Sequence, residues 1–288
     1  MNLKIGFIGQ GWIGKNYADD FEKRGFVVTR YAMEKPYIDN RDAIAECDVV
    51  FIAVPTPTTP EGFDYSIIKE VLGLVGKDKI AVIKSTILPG TTGHLQELYP
   101  EIFVLNSPEF LTEATAAHDA ANPARNIVGV PLGSPTYHEK AKLVMSVLPK
   151  AGYEKICSSV DAETIKYGRN VLGYVRVIFS NVLYDLSTDI GADWEVVKEA
   201  MSADPDTGPT YLNPIHKSGR GAGGHCFIKD FAAFVDFYEK NRPDDVLGLQ
   251  VLKANEEKNN SLLIETKKDL DLLTGVYGKD ILTRKNIE

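Results

Sequence analysis

The stretch Lys4-Ile5-Gly6-Phe7-Ile8-Gly9-Gln10-Gly11-Trp12-Ile13-Gly14 decides how the rest of the chain is read. A short apolar strand runs directly into G-x-G-x-x-G, a helical pattern follows as far as Arg24, and Gly25 stops it. Val27-Val28-Thr29-Arg30-Tyr31 then reads as a second strand, so a strand–turn–helix–strand unit closes within about thirty residues. In that setting the glycines form a dinucleotide fingerprint. They permit a tight turn and bring backbone amides and a helix N-terminus against a pyrophosphate. Gly9, Gln10, Gly11, Trp12, Ile13 and Gly14 are the first candidate cofactor contacts.

The second strand of such a unit ordinarily ends in an acid that binds ribose hydroxyls. Here it ends Tyr31-Ala32-Met33-Glu34, so that position is not acidic. Arg30 is near enough to meet a 2′-phosphate, or is a solvated strand-end charge, and Glu34 could serve late. NAD is the expected cofactor and NADP the alternative.

Working onward, Asp48–Val54 is a continuous apolar run, as a strand buried on both faces should be. Pro55-Thr56-Pro57 ends it. Strands at 79–84, 103–105 and 126–130, with helices at 66–75 and 135–148, continue the alternation. This predicts an α/β fold with a doubly wound parallel sheet, whose ligands lie beyond the carboxyl ends of the strands. The 55–59, 85–92 and 106–113 loops fall there. Ser107-Pro108-Glu109 reads as a helix start, which would put Glu109 and Glu113 on one helical face.

After Ser159 the character changes. Residues 161–190 contain no proline, and Ile165, Leu172, Val175, Ile178, Val182, Leu186 and Ile190 recur at helical spacing, giving a helix roughly 45 Å long. Lys166 and Asn170 share one face of it. Helices are expected at 193–201, 229–241 and 245–273. The predicted organisation is a Rossmann-like domain over 1–160 and an all-helical domain with a long central helix over 161–288.

The segment Gly223-Gly224-His225-Cys226-Phe227-Ile228-Lys229-Asp230 sets two glycines before a cysteine, with a lysine and an aspartate close behind. A thiol is nucleophilic as thiolate, which a nearby cation favours. Equally, Cys226 could be an inert residue in a turn leading into the next helix.

Composition excludes several functions. Among 288 residues, 44% are apolar and 25% charged, with a formal net charge of −8, which argues against a nucleic-acid surface. No run reaches the roughly 18 apolar residues of a membrane span. Cys47, Cys157 and Cys226 are odd in number and lack paired metal spacing, so a reducing, cytoplasmic setting and no metal are expected.

Several stretches together resemble the UDP-glucose/GDP-mannose dehydrogenase family. They are the fingerprint; Val54-Pro55-Thr56-Pro57 with Gly62 and Asp64; Lys84-Ser85-Thr86; Ser107–Glu113 with Asp119, Pro123 and Arg125; Ile165-Lys166-Tyr167 with Asn170; and Gly223–Asp230. The resemblance implies NAD-dependent oxidation of a nucleotide-sugar C6 alcohol to the carboxylate. It implies Cys226 as nucleophile, Lys166 and Asn170 as oxyanion donors, Asp230 and Glu113 as groups that orient water and move protons, and Thr86 beside the nicotinamide. Val54, Pro55, Thr56, Ser85 and Thr86 join the cofactor contacts. Glu109, Phe110, Leu111, Lys166, Asn170, Arg220 and Gly223 are the substrate contacts it implies. A homodimer through the helical region is expected.

There are departures. Family members usually carry a third domain that closes over the nucleotide base, and a short form lacking it is expected here. Gly219-Arg220-Gly221-Ala222 lacks the usual aromatic, Thr112 and Arg176 stand where arginine and lysine are common, and Ile228 replaces proline. His216, Lys217 and Arg220 are candidates to hold the diphosphate instead, or they form a solvated basic loop. Two further functions stay open: a dehydrogenase of a smaller hydroxyl substrate, and a non-catalytic nucleotide-binding fragment partnering a full-length relative.

Overall fold

The protein is described by a computed structural model covering residues 3–283. The ends of the two domains expected at 1–160 and 161–288 therefore lie outside the described residues. The chain separates into two compact units. One comprises the residues up to Thr56 together with Asp64–Lys166, and the other Pro57–Phe63 with the residues from Tyr167 onward.

In the first unit, seven strands form one sheet: β1 (Lys4–Ile8), β2 (Val27–Tyr31), β3 (Val49–Ile52), β4 (Ile80–Ile83), β5 (Phe103–Asn106), β6 (Arg125–Val130) and β7 (Tyr153–Ser158). Their spatial order is β2-β1-β3-β4-β5-β6-β7. The first five run parallel, which bears out the doubly wound reading. Every residue of β3 and β4 is buried, as their unbroken apolar sequences require.

The last two strands depart from an all-parallel sheet. β6 meets β5 antiparallel, at Asn106 and Gly129, and β7 follows β6 in parallel. The reason lies between β5 and β6. The helix there, α4 (Ala116–Ala121), has six residues and a length of about 9 Å, too short to carry the chain back across the sheet. No helix begins at Ser107: the segment from there to Thr112 is irregular, and a 3₁₀ turn covers Glu113–Thr115. β7, four of whose six residues are exposed, had only the strand-like setting of Cys157 as its signal in the sequence.

Helices α1 (Trp12–Lys23), α2 (Ser66–Leu72), α3 (Thr91–Leu98) and α5 (Pro135–Val147) complete this unit. At its core Phe7 stacks on Phe51 at 5.0 Å, and Phe21 meets both edge-on at 5.3 and 5.2 Å.

In α6 (Ser159–Asp189), residues through Lys166 belong to the first unit and those from Tyr167 to the second. The second unit continues with α7 (Trp194–Ala203), α8 (Gly224–Asn241), α9 (Val246–Glu265) and α10 (Leu270–Tyr277). It is helical apart from two-residue pairings, Ile215–His216 with Gly219–Arg220 and Thr58–Thr59 with Gly62–Phe63. Its core centres on Tyr174, stacked on Phe231 at 3.8 Å, with Val177, Ile178, Val235 and Leu262 around them. Two boundaries differ from expectation. The single helix expected over 245–273 is broken at residues 266–269, where Lys267 and Asp269 take positive φ. α8 begins at Gly224 rather than Lys229, which puts Cys226 inside its first turn.

Candidate active site

Gly9 has φ +90, and a Cβ there would lie 2.2 Å from the carbonyl oxygen of Ala53. A Cβ on Gly14 would lie 1.9 Å from the Gly9 carbonyl oxygen. These two glycines let strand, turn and helix close on one another. Gly11 faces open space, and as N-cap of α1 it provides no side-chain cap. The first amides of α1 are therefore uncapped by any side chain, and no Cβ at Gly11 obstructs an approaching diphosphate. These residues fit the pyrophosphate of a dinucleotide. Gln10 is buried against the Gly9 carbonyl, and Trp12 is partly exposed.

The neighbouring loops are tied together. Ser85 Oγ accepts from the Val54 amide at 3.0 Å and donates to the Val54 carbonyl at 2.7 Å. Thr56 Oγ1 donates to the Thr86 carbonyl at 2.8 Å. Val54-Pro55-Thr56 and Ser85-Thr86 thus meet at the carboxyl ends of β3 and β4. Arg30 is not an open cation. Its guanidinium pairs with Glu22 and Asp19, each at 2.7 Å.

Beside β5, Glu109 and Lys166 form a buried ion pair at 2.7 Å, both side chains 4% exposed. The other Glu109 oxygen accepts from the Leu111 amide at 2.7 Å. The Arg125 guanidinium sits 4.0 Å from the centre of the Phe110 ring, and Lys166 Nζ 5.7 Å from it. Glu109 and Glu113 do not share a helical face as expected: Glu109 is buried under the ion pair, whereas Glu113 is exposed at the start of the 3₁₀ turn.

Two further buried groups belong here. Lys84 Nζ donates to the carbonyl and hydroxyl oxygens of Ser107 at 3.1 and 3.3 Å. Burial pulls its pKa down to about 7; Glu109 works the other way and Lys166 adds to the fall. Glu163 accepts from the amides of Gly90 and Thr92 at 2.7 and 2.8 Å and from the Thr92 hydroxyl. Burial raises the Glu163 pKa, and the hydrogen bonds from Thr92 and Gly90 oppose that. Sequence reasoning did not single out Glu163. Its one signal is its place three residues before Lys166.

In the second unit, Asp230 is 1% exposed. One oxygen accepts from Asn170 Nδ2 at 2.7 Å and the other pairs with Lys229 Nζ at 2.5 Å. Four residues earlier on α8, one turn toward its N-terminus, Cys226 is exposed. Cys226 lies in the first turn of α8, at the positive end of the helix dipole. A Cβ on Gly223 would lie 2.1 Å from Asp269 Oδ2, and Gly224, with φ +79, donates its amide to the same oxygen at 2.7 Å. Gly223 is required by that close approach, and Gly224 by its left-handed backbone. Asp269 and the buried Lys268, which donates to the Gly221 carbonyl at 2.8 Å, clamp this loop and were missed in the sequence.

Arg220 differs from both readings given to it. It is neither solvated nor open to a diphosphate, because it pairs with Asp185 at 2.6 Å and donates to the Asn181 side chain at 2.9 Å. Among the described residues no group of His, Cys, Asp and Glu side chains could hold a metal ion, and no helix is long and apolar enough to cross a membrane.

The sheet order, the fingerprint geometry and the uncapped α1 define a dinucleotide-binding α/β protein. Residues 30–144 match the NAD binding domain of the UDP-glucose/GDP-mannose dehydrogenase family, and residues 160–261 match that family's central domain. The chain belongs to this family and carries its NAD-binding domain. It is 31% identical over 252 residues to the UDP-glucose 6-dehydrogenase YwqF of Bacillus subtilis, covering 83% of this chain and 54% of that protein. A UDP-glucose 6-dehydrogenase of Rickettsia bellii is 30% identical over 243 residues, covering 80% and 55%. The chain spans about half the length of these curated relatives. The solved UDP-glucose dehydrogenase of Pyrobaculum islandicum superposes with TM-score 0.76 at 26% identity, covering 91% of this chain and 68% of that one. In fold alone, a 3-hydroxyisobutyrate dehydrogenase of Mycobacterium tuberculosis is also similar, with TM-score 0.71 at 16% identity, covering 96% of this chain and 99% of that one.

Proposed function

We propose that this chain oxidises the C6 alcohol of a nucleotide sugar to the carboxylate, with Cys226 as nucleophile. The observation that carries this reading is Asp230, a carboxylate buried on the same helix one turn from an exposed Cys226 and held by Asn170 and Lys229. A helix packing for stability alone has little reason to bury such a charge. When bound, NAD supplies the two-electron acceptor for each of two oxidations.

The chain's own groups supply the remainder. Lys166 keeps two of its three donors after pairing with Glu109, and with the Asn170 amide it would hold the substrate oxygen and then the oxyanion. The Cys226 thiolate adds to the aldehyde carbon, forming a C–S bond and a thiohemiacetal. After the second oxidation this is a thioester. Water, oriented by Asp230 with Glu113 moving protons, adds to the thioester carbonyl, and the C–S bond breaks to return the thiolate and release the carboxylate. Thr86 lines the nicotinamide side, and Phe110, Leu111 and Gly223 shape the substrate side.

The exposed apolar face of α6 supports a homodimer. Leu172, Phe179 and Leu186, spaced by seven, are 64%, 58% and 53% exposed.

The test is turnover of the purified chain with NAD and a panel of UDP- and GDP-sugars. Two equivalents of NADH should form per sugar, and Cys226→Ser should abolish carboxylate formation. NAD binding without NADH from any nucleotide sugar would sink the proposal; activity on small hydroxy compounds would then identify the alternative dehydrogenase.

A further inference from the structure

The ribose end of the cofactor site lacks the usual strand-end acid, and the residue nearest to replacing it is Arg30, a cation. A cation there would ordinarily welcome the 2′-phosphate of NADP. The surroundings of Arg30 oppose this. Its Nε donates to Glu22 Oε1 at 2.9 Å and an amino nitrogen to Glu22 Oε2 at 2.7 Å, a two-pronged pair. The same amino nitrogen reaches Asp19 Oδ1 at 2.7 Å, and the other reaches Gln10 Oε1, within the fingerprint, at 3.4 Å. Asp19 also pairs with Lys15 at 2.6 Å. Two cations and two carboxylates thus form a neutral group, with the Arg30 side chain only 11% exposed. Arg24, at the end of α1, is turned to Asp20 and the Val147 carbonyl, and Arg41, next to the Asn40 that donates to the Arg30 carbonyl at 2.9 Å, is exposed beside Asp42.

We propose that Asp19 and Glu22 select NAD over NADP by holding and neutralising Arg30. A 2′-phosphate carries about two negative charges and needs an unspent cation to replace its water. Here it would meet a guanidinium already committed to two carboxylates, and the carboxylates themselves would repel it. A ribose hydroxyl is neutral and meets no such opposition. The inference rests on the dinucleotide reading of this unit and not on sugar oxidation.

The experiment measures dissociation constants of NAD and NADP for the full chain by titration calorimetry, so it needs no turnover. Wild type should bind NAD more tightly. In Asp19→Asn/Glu22→Gln the ratio of the NADP constant to the NAD constant should fall by about tenfold or more, the worth of one charge-assisted hydrogen bond. Adding Arg30→Ala should restore the wild-type ratio. The substitutions are nearly isosteric at side chains 32% and 48% exposed, and Glu22→Gln alone should move the ratio the same way by less. A ratio unmoved in the double variant overturns the inference while the cofactor reading stands. A gain that survives Arg30→Ala also overturns it and assigns the phosphate to another cation, such as Lys35. Failure to bind either dinucleotide removes both readings together.

Discussion

Lys84 sits far from the conditions its charge prefers. Its ammonium is buried, donates to Ser107, and lies 4.3 Å from the centre of the Tyr17 ring. With a pKa drawn from 10.5 to about 7, the folded chain releases a proton in this window that the unfolded chain keeps. The unfolded state then binds more protons, so this group makes stability rise with pH between about 7 and 10.5. Lys84→Met should therefore stabilise by on the order of a few kcal/mol near pH 6, with the gain shrinking toward pH 10. Urea midpoints of both proteins across that range decide it; a difference independent of pH would contradict the low pKa. The Glu109–Lys166 pair behaves differently. Removing either partner alone strands a buried charge and should cost about 3–5 kcal/mol, whereas Glu109→Gln/Lys166→Met should recover much of the loss. A double-mutant cycle showing simple additivity would rule out the pair as a unit.

At the scale of elements, two helix N-termini are treated in opposite ways. α1 begins at Gly11 with no side-chain cap, leaving its amides for a ligand. α3 is met by Glu163 from the first turns of α6. That glutamate holds the end of the Ser85–Thr92 loop to the turn that carries Lys166. In Glu163→Gln an amide NH₂ must face an N–H donor, so the variant should lose about 1–3 kcal/mol of stability. Denaturant midpoints at constant slope measure this, and an unchanged midpoint would show the clamp to be dispensable. α6 itself buries an unusual stripe. Glu163, Lys166, Tyr167, Asn170, Tyr174 and Asn181 face inward, while Ile165, Leu172, Phe179 and Leu186 are exposed.

That inversion matters at the scale of the molecule. Helical periodicity in the sequence shows that α6 has an apolar face but not what covers it. Most of the exposed apolar residues follow a seven-residue step, as in helices that pair with another helix. Leu172→Glu/Phe179→Glu should convert a dimer to a monomer in sedimentation at micromolar concentration without altering the circular dichroism spectrum. Wild type sedimenting as a monomer would refute the homodimer outright.

The sequence by itself determined the fingerprint unit, the buried parallel strands, the long helix and the family, because each rests on local spacing: glycines at fixed offsets, unbroken apolar runs, a period near 3.6. Only the tertiary structure decided the rest. It turned β6 against β5, placed Cys226 inside α8, buried Glu109 on Lys166 while leaving Glu113 exposed, and committed Arg30 to α1 and Arg220 to α6. The buried pairs among these depend on which side chains meet across segments distant in sequence. Glu109 and Lys166 are 57 residues apart and Asn170 and Asp230 are 60 apart. A charged side chain reads the same in a sequence whether it ends in water or on a buried partner, and its chemistry is set by that difference.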